Sequence, residues 1–288
     1  MWTINLKSIT IALLISVAWY FGFRELWTVF TNFSDQWYWF VIATIYTTTL
    51  NDVFGHMILT HRLFPVNLNS LGYRIFSFLF IVDHGWGPVT GFCMAHHRHH
   101  QCSDQGNKDV ANWRTGWWAH GIVSPVNYIF QPVTDWGDTE KYVDMQERKF
   151  GEVFNDTWTW FIEEHSHLLT ILFWVVLYFV FPIILFKVVF LGRALLTIYT
   201  LFSTIGGHTK MPGGYRNFNT PDCSYNNLLL HYVSLLMFPT ILQNNHHGTK
   251  YTLEKGSGVH WYEYDISKHI ARFLKLIIEK KDQNGLSS

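Results

Sequence analysis

A chain of 288 residues in which 49% of side chains are apolar, 18% aromatic and only 15% charged is too greasy for an ordinary soluble domain, and the membrane class leads. Its 21 Lys and Arg balance 21 Asp and Glu, so no net field points to a nucleic-acid partner. The three cysteines, Cys93, Cys102 and Cys223, are widely spaced and form no Cys-x-x-Cys pair, which suggests neither a disulfide framework nor a zinc knuckle.

Ile4–Phe23 is nearly continuous apolar sequence with one charge, Lys7, and is long enough to cross a bilayer core of roughly 30 Å. A signal peptide is the competing reading, but Trp19, Tyr20, Phe21 and Phe23 stand where small cleavage-site residues would be needed. Arg24, Glu25 and Asp35 predict a short polar turn, with Trp27, Trp37 and Trp39 placed as interfacial anchors. Trp37–Gly55 is expected to return across the membrane and to deliver His56 and His61 where it leaves lipid. On an α-helix five residues turn through about 500°, so the two rings share a site only if the helix bends or ends between them, or if each serves a different metal.

Leu71–Met94 is apolar but interrupted by Asp83-His84-Gly85 and Pro88, and predicts a bent or partly inserted helix packed on protein. Ala95–Gln101 follows, with four of the sixteen histidines inside five positions. At about 100° per residue His96, His99 and His100 share one helical face and His97 points elsewhere. A solvated His-rich surface is the plain alternative. It leaves unexplained two more spaced clusters, His56-x4-His61 and Gln243-x2-His246-His247, each just beyond an apolar segment.

Residues 101–167 are polar and carry turn signals, which predicts a folded cytosolic cap with helical patches. Glu163-Glu164-His165-x-His167 has the composition of a metal site, but histidines at i, i+2 face apart on a helix, and the stretch reads as an interfacial decoy. Leu168–Phe186 predicts a third span kinked at Pro182, and Val188–Gly207 a fourth that ends at His208, with Lys187 and Arg193 near the hairpin between them. The expected architecture is thus an all-α integral membrane protein in one domain, 1–288. Its four transmembrane helices fall at about 4–23, 37–55, 168–186 and 188–207, under a cap formed by 56–167 and 208–288. Only Arg24, Lys187 and Arg193 fall on the side away from the histidines, so the positive-inside bias puts both termini and every His cluster in the cytosol. Ile266–Lys281 is a basic amphipathic stretch expected to lie against the membrane surface.

Histidine alone does not choose a metal, since neutral imidazole suits iron, zinc, copper and nickel. Number is more informative. His56, His61, His96, His99, His100, His208, His246 and His247 offer twice the donors of a tetrahedral zinc, enough for two metals with room for a small ligand. With no haem-attachment Cys-x-x-Cys-His, non-haem iron (Fe2+/Fe3+) is the metal whose O2 chemistry suits such a shell.

The spacing resembles the membrane fatty-acid desaturases, particularly the acyl-CoA type. The resemblance rests on Gly55-His56-x4-His61-Arg62, on His96-x-x-His99-His100 with Ser103-Asp104 behind it, and on Gly116-x3-His120-Gly121. It continues through Gly214-Tyr215-Arg216-Asn217-Phe218-x-Thr220-x-Asp222-x-Ser224-x-Asn226-Asn227, Asn244-x-His246-His247 and Trp261-x-Glu263-x-Asp265. It implies a four-helix membrane stem under a cytosolic cap, two irons held by the eight histidines, and O2-dependent insertion of a cis double bond into a fatty acyl chain. Gln243 stands where the acyl-CoA subgroup has His, as in front-end desaturases, and Asp109-Val110-Ala111-Asn112 replaces a frequent Asp-Pro-His. Gln243 and His120 are candidates to support the metals from just outside the ligand set. Phe76, Phe80 and Phe92 are candidate walls for the acyl chain, although such aromatics are commonly plain core.

No His-Pro-Gly-Gly haem motif or dinucleotide Gly-rich turn occurs, so an external donor such as cytochrome b5 or ferredoxin is implied. Other expected partners are membrane lipids and an acyl substrate carried by coenzyme A, a carrier protein or a lipid. A hydroxylase on the same scaffold is the nearest alternative. A His-rich metal transporter is the alternative from another class, but it should hold its ligands near the midplane of the spans.

Overall fold

In the computed structural model, which describes residues 6–84, 89–105, 109, 151–153, 155–235 and 242–280, the first apolar run is a single helix, α1 (Leu6–Thr31). It passes straight through Arg24-Glu25, where a turn was expected, and stops only at Asn32, whose side-chain amide donates to the Thr28 carbonyl at 3.0 Å. The reason is charge pairing. Glu25 is buried, with Arg24 donating to Oε1 at 2.8 Å and Lys187 to Oε2 at 2.7 Å, so the carboxylate is carried inside the bundle instead of ending the helix, while Arg24 stays half-exposed.

The return helix α2 (Phe33–Thr47) continues without a break into a π-helical segment, Thr48–Thr60. Its inner face is polar, with Thr44, Thr47, Thr48, Asn51 and Asp52 all buried. Next come α3 (Leu71–His84) and α4 (Val89–Cys102), which together cover the described parts of the expected bent stretch Leu71–Met94. After α5 (Thr157–Glu164), N-capped by Asp156 through the Thr159 amide at 2.8 Å, runs α6 (Ser166–Val180).

Pro182 does not kink a third span; it begins a new helix. Phe181 leaves helical geometry (φ −138°, ψ 59°), and Pro182 occupies the first turn of α7, where its missing N–H costs nothing. Helix α7 runs Pro182–Ile184, continues as a π segment (Leu185–Phe190), returns to α (Leu191–Leu201) and ends in a second π segment (Phe202–Gly206). Lys187 and Arg193 therefore lie within α7 and not at a hairpin, and Arg193 is fully buried beside Asp83 of α3. Of the three cations expected at the turn side, only Arg24 is exposed, Lys187 being largely buried against Glu25.

Helices α1, α2, α6 and α7 pack as a bundle. Gly22 allows the closest approach: a Cβ there would stand 2.3 Å from the Phe190 carbonyl oxygen of α7. Among the described residues two helical segments, Ile9–Thr31 and Pro182–Thr200, are long and apolar enough to cross a membrane, while α6 is apolar but shorter. Above the bundle a two-stranded antiparallel ribbon, β1 (Gly214–Tyr215) and β2 (Asn226–Asn227), is followed by α8 (Leu228–Leu235), α9 (Gln243–Gly248) and α10 (Ser267–Ile278). The expected amphipathic helix is α10. It buries Ala271, Leu274 and Ile278 against the π segment of α2 and against α3, and leaves Phe273, Leu276 and Ile277 exposed.

Candidate metal centre

The π segment settles how His56 and His61 meet. Each turn of an i→i+5 helix takes nearly one residue more than an α-turn, so position i+5 stands close above position i. The His61 amide donates to the His56 carbonyl at 3.0 Å, the Thr60 hydroxyl donates to the Gly55 carbonyl at 2.8 Å, and the two ring Nε2 atoms lie 3.2 Å apart. Of the expected alternatives, the helix does end between the two rings, at Thr60, after a π pitch has already brought them onto one side, and separate metals are not needed. Arg62, with φ +52°, then turns the chain away. The ring edge of Phe80 of α3 presses on Gly55, where a Cβ would come within 2.2 Å of it, and so steadies the helix one residue before His56.

Helix α4 presents His96, His99 and His100 inward. His97 is turned out of the cluster and bonds the Thr60 carbonyl through Nε2 at 2.9 Å. Helix α9 adds His246 and His247, and His208 follows the end of α7. The eight rings form three overlapping groups, each with its donor atoms within 4.8 Å of one another: His56, His61, His96 and His246; His99, His208 and His247; and His100, His246 and His247. His100 Nε2 is 2.9 Å from both His96 Nε2 and His246 Nε2, which attaches it to the first group and leaves His246 and His247 as the hinge between the two. Gln243 completes the second group, with its carboxamide nitrogen 3.3 Å from His208 Nε2 and 3.2 Å from His247 Nε2.

These separations are informative. An imidazole Nε2 carries one proton or one lone pair, yet His56 Nε2 has three ring nitrogens around it, at 3.0, 3.2 and 3.2 Å. Hydrogen bonding cannot satisfy that arrangement, whereas donors set octahedrally at about 2.1 Å from one ion stand about 3.0 Å apart. The donor set therefore fits a metal ion of high coordination number.

The outer ring nitrogens strengthen the fit. His56 Nδ1 lies 3.2 Å from Asp52, His99 Nδ1 2.9 Å from Asp109, His208 Nδ1 3.0 Å from Asp104 and His247 Nδ1 2.7 Å from Asp222. Each carboxylate fixes the proton on Nδ1 and so turns an Nε2 lone pair inward. The carboxylates are held in turn: Asp104, itself at φ +63°, receives the Cys223 amide at 2.7 Å, and Asp222 receives the Ser224 hydroxyl and amide. Burial, reinforced by the neighbouring rings, holds His96, His100 and His246 well below the usual imidazole range, and burial pushes His247 down to about 4 despite Asp222. Burial alone would raise the Asp222 carboxyl, but His247, Ser224 and Thr220 together hold it well below the usual carboxylate range. His96, His100, His246 and His247 are therefore neutral and Asp222 ionised at neutral pH, which is the protonation state a cation requires.

Outside the cluster, Glu163 is not a ligand. It accepts from the Thr90 amide at 2.9 Å and the Thr90 hydroxyl at 2.8 Å, capping the start of α4. His165 bonds its own helix at the Phe161 carbonyl. Glu263 receives Asn217, Tyr215 and Asn245 and ties the 214–227 linker to α9. Phe92 lies parallel to the His96 ring at 6.1 Å, whereas Phe80 is buried in the core and Phe76 packs on Phe54. His120 lies outside the described residues. What sequence reasoning missed is the set of four aspartates acting as a group; only Asp52, at i,i+4 from His56, has a local spacing signal.

No family model matches the chain, and no curated protein is similar to it.

Proposed function

We propose that the chain is an O2-dependent membrane fatty acyl desaturase with a His-ligated di-iron centre. The observation that carries this reading is the pair of adjoining histidine groups, drawn from four separate stretches of sequence in the order His56/His61, His96/His99/His100, His208 and His246/His247, with four of the rings oriented by aspartates. One iron would be held by His56, His61, His96, His100 and His246, the other by His99, His208 and His247 with Gln243. Two such irons, when bound, supply the oxidation that removes one hydrogen from each of two adjacent methylenes.

The chain's own part is to position and to shield. Asp52, Asp104, Asp109 and Asp222 keep the inner nitrogens unprotonated, and Phe92 forms an apolar wall next to His96. In this reading α1, α2, α6 and α7 all cross the bilayer, with the cap and both termini in the cytosol. The shorter apolar length of α6 and the polar inner face of α2 are tolerated because both pack on α1 and α7. The donors gather beyond the ends of α2 and α7, which favours catalysis at the membrane surface over transport through the midplane. Electrons come from an external donor such as cytochrome b5 or ferredoxin.

The test is expression in a desaturase-deficient host, with double bonds in the host lipids mapped by mass spectrometry. New cis double bonds are expected. Hydroxylated acyl chains in their place would assign the hydroxylase chemistry, and an unchanged lipid profile from membrane-inserted, iron-loaded protein would overturn the reading.

A further inference from the structure

Far from the histidines, near the turns of the bundle, α1, α6 and α7 enclose an apolar groove of about 240 Å³. Its floor is buried: Trp174, Leu185 and Phe190 are 8%, 3% and 3% exposed. Its walls include Phe21, Tyr178 and Phe186. The rings brace one another, with Phe21 stacked on Phe190 at 5.6 Å, Phe186 edge-on to Phe21 at 5.3 Å and Trp174 edge-on to Phe190 at 5.0 Å, so the groove is built rather than incidental.

Two polar groups border this apolar surface. The Arg24 guanidinium stands 4.9 Å from the Phe21 ring and 5.4 Å from the Phe186 ring, with its side chain 49% exposed. It donates to Glu25 Oε1 at 2.8 Å, which occupies only part of its fork of donors. The indole N–H of Trp174 is buried and has no hydrogen-bond partner among the described residues. A buried indole N–H ordinarily finds an acceptor, so one is missing here.

We propose that this groove is a phospholipid site, in which an acyl chain lies along Trp174, Leu185 and Phe190, the phosphate meets Arg24, and a glycerol ester carbonyl accepts from the Trp174 N–H. The chemistry selects the occupant. Arg with a phosphate is a strong charge-assisted pair, the apolar floor needs hydrocarbon, and the buried indole needs a neutral acceptor of its own. A free fatty acid would supply the anion and the chain but no separate ester. The proposal rests on the membrane placement argued above and not on the reaction.

The full-length protein, extracted from membranes in mild detergent and exchanged repeatedly, is examined by native mass spectrometry beside Arg24→Gln, Trp174→Phe and Val175→Trp. Val175→Trp fills the groove and leaves both polar groups in place. Wild type is expected to retain one phospholipid, and Arg24→Gln and Val175→Trp to lower that retention about tenfold, equivalent to 1.4 kcal/mol, with unchanged helix content. Phosphatidylglycerol added back should raise the melting temperature of wild type more than oleate or inorganic phosphate does. Equal retention in all variants, or an equal response to oleate, means that only adventitious annular lipid or a fatty acid is bound, and overturns the proposal. Release of the wild type from membranes by alkaline carbonate would overturn the membrane placement itself, a separate result.

Discussion

The Ser267 hydroxyl donates to Asp52 Oδ2 at 2.7 Å across 215 positions of sequence, while Oδ1 of the same carboxylate holds His56 Nδ1 at 3.2 Å. The first residue of α10 therefore helps to aim a ring at the end of α2. Ser267→Ala should lower metal affinity modestly, and Asp52→Asn by about 10- to 100-fold, the usual range for loss of a ligand's carboxylate partner. Iron titration of purified protein reads the difference. Equal affinity in wild type and Asp52→Asn would remove the aspartate from the ring's support.

His246 lies between both groups, and His97 lies outside them. His246→Ala should abolish product formation and remove most bound metal, with membrane insertion intact; His99→Ala should do the same through the second group. His97→Ala loses one bond to the Thr60 carbonyl, about 1 kcal/mol of stability, and should keep its metal. Metal per inserted protein is the measurement, and turnover by His246→Ala would sink the assignment.

A carboxamide is a weaker donor than imidazole, so the group that contains Gln243 should hold its ion less tightly. Gln243→His should raise iron retention if the space beside Gly207, whose Cβ would come within 2.8 Å of the Gln243 side chain, accepts the ring. Gln243→Ala should lower it. Two irons in all three forms would show that the eight histidines suffice.

The metal-stripped protein should lose stability on acidification. His96, His100, His246 and His247 are held below their unfolded value of about 6.5, so between there and pH 4 the unfolded chain binds more protons and stability falls with pH. Asp265 acts in the opposite sense, since burial and the nearby Asp52 raise its carboxyl to about 6 and the folded state then takes up a proton first. Burial raises the Asp83 carboxyl to about 6 in the same way, and four groups against two leave a net loss. A urea midpoint rising as pH drops from 6.5 to 4.5 would contradict these environments.

Cysteines introduced at Ser34, in the first turn of α2, and at Lys255, exposed in the cap, should label differently in intact cells. An impermeant reagent should reach position 34 and not position 255. Strong labelling at 255 would overturn the four-span arrangement.

Helical character, a His-rich centre and the outlying position of His97 are legible in the sequence because they depend on composition and on local periodicity. The meeting of His56 with His61 is not, because α-helical pitch was the wrong ruler for a π segment. The extent of α1 past Arg24-Glu25 is hidden for another reason: the cation that makes Glu25 acceptable belongs to α7. Asp104, Asp109 and Asp222 likewise gain their roles only when distant chain segments fold together. Pro182 is ambiguous in one dimension, since a kink and a helix start carry the same residue.

Glu25 also bears on the order of biosynthesis. Its partner Lys187 is translated about 160 residues later, which at 5–20 residues per second is a delay of roughly ten to thirty seconds. On the proposed four-span reading, the nascent first hairpin would during that interval hold a carboxylate with only the adjacent Arg24 to neutralise it, and its insertion would be provisional until the second hairpin arrives. A protein with Lys187→Ala should therefore show its defect while the chain is being made, as first hairpins recovered by quality control, more than as a weakness of molecules that have already matured.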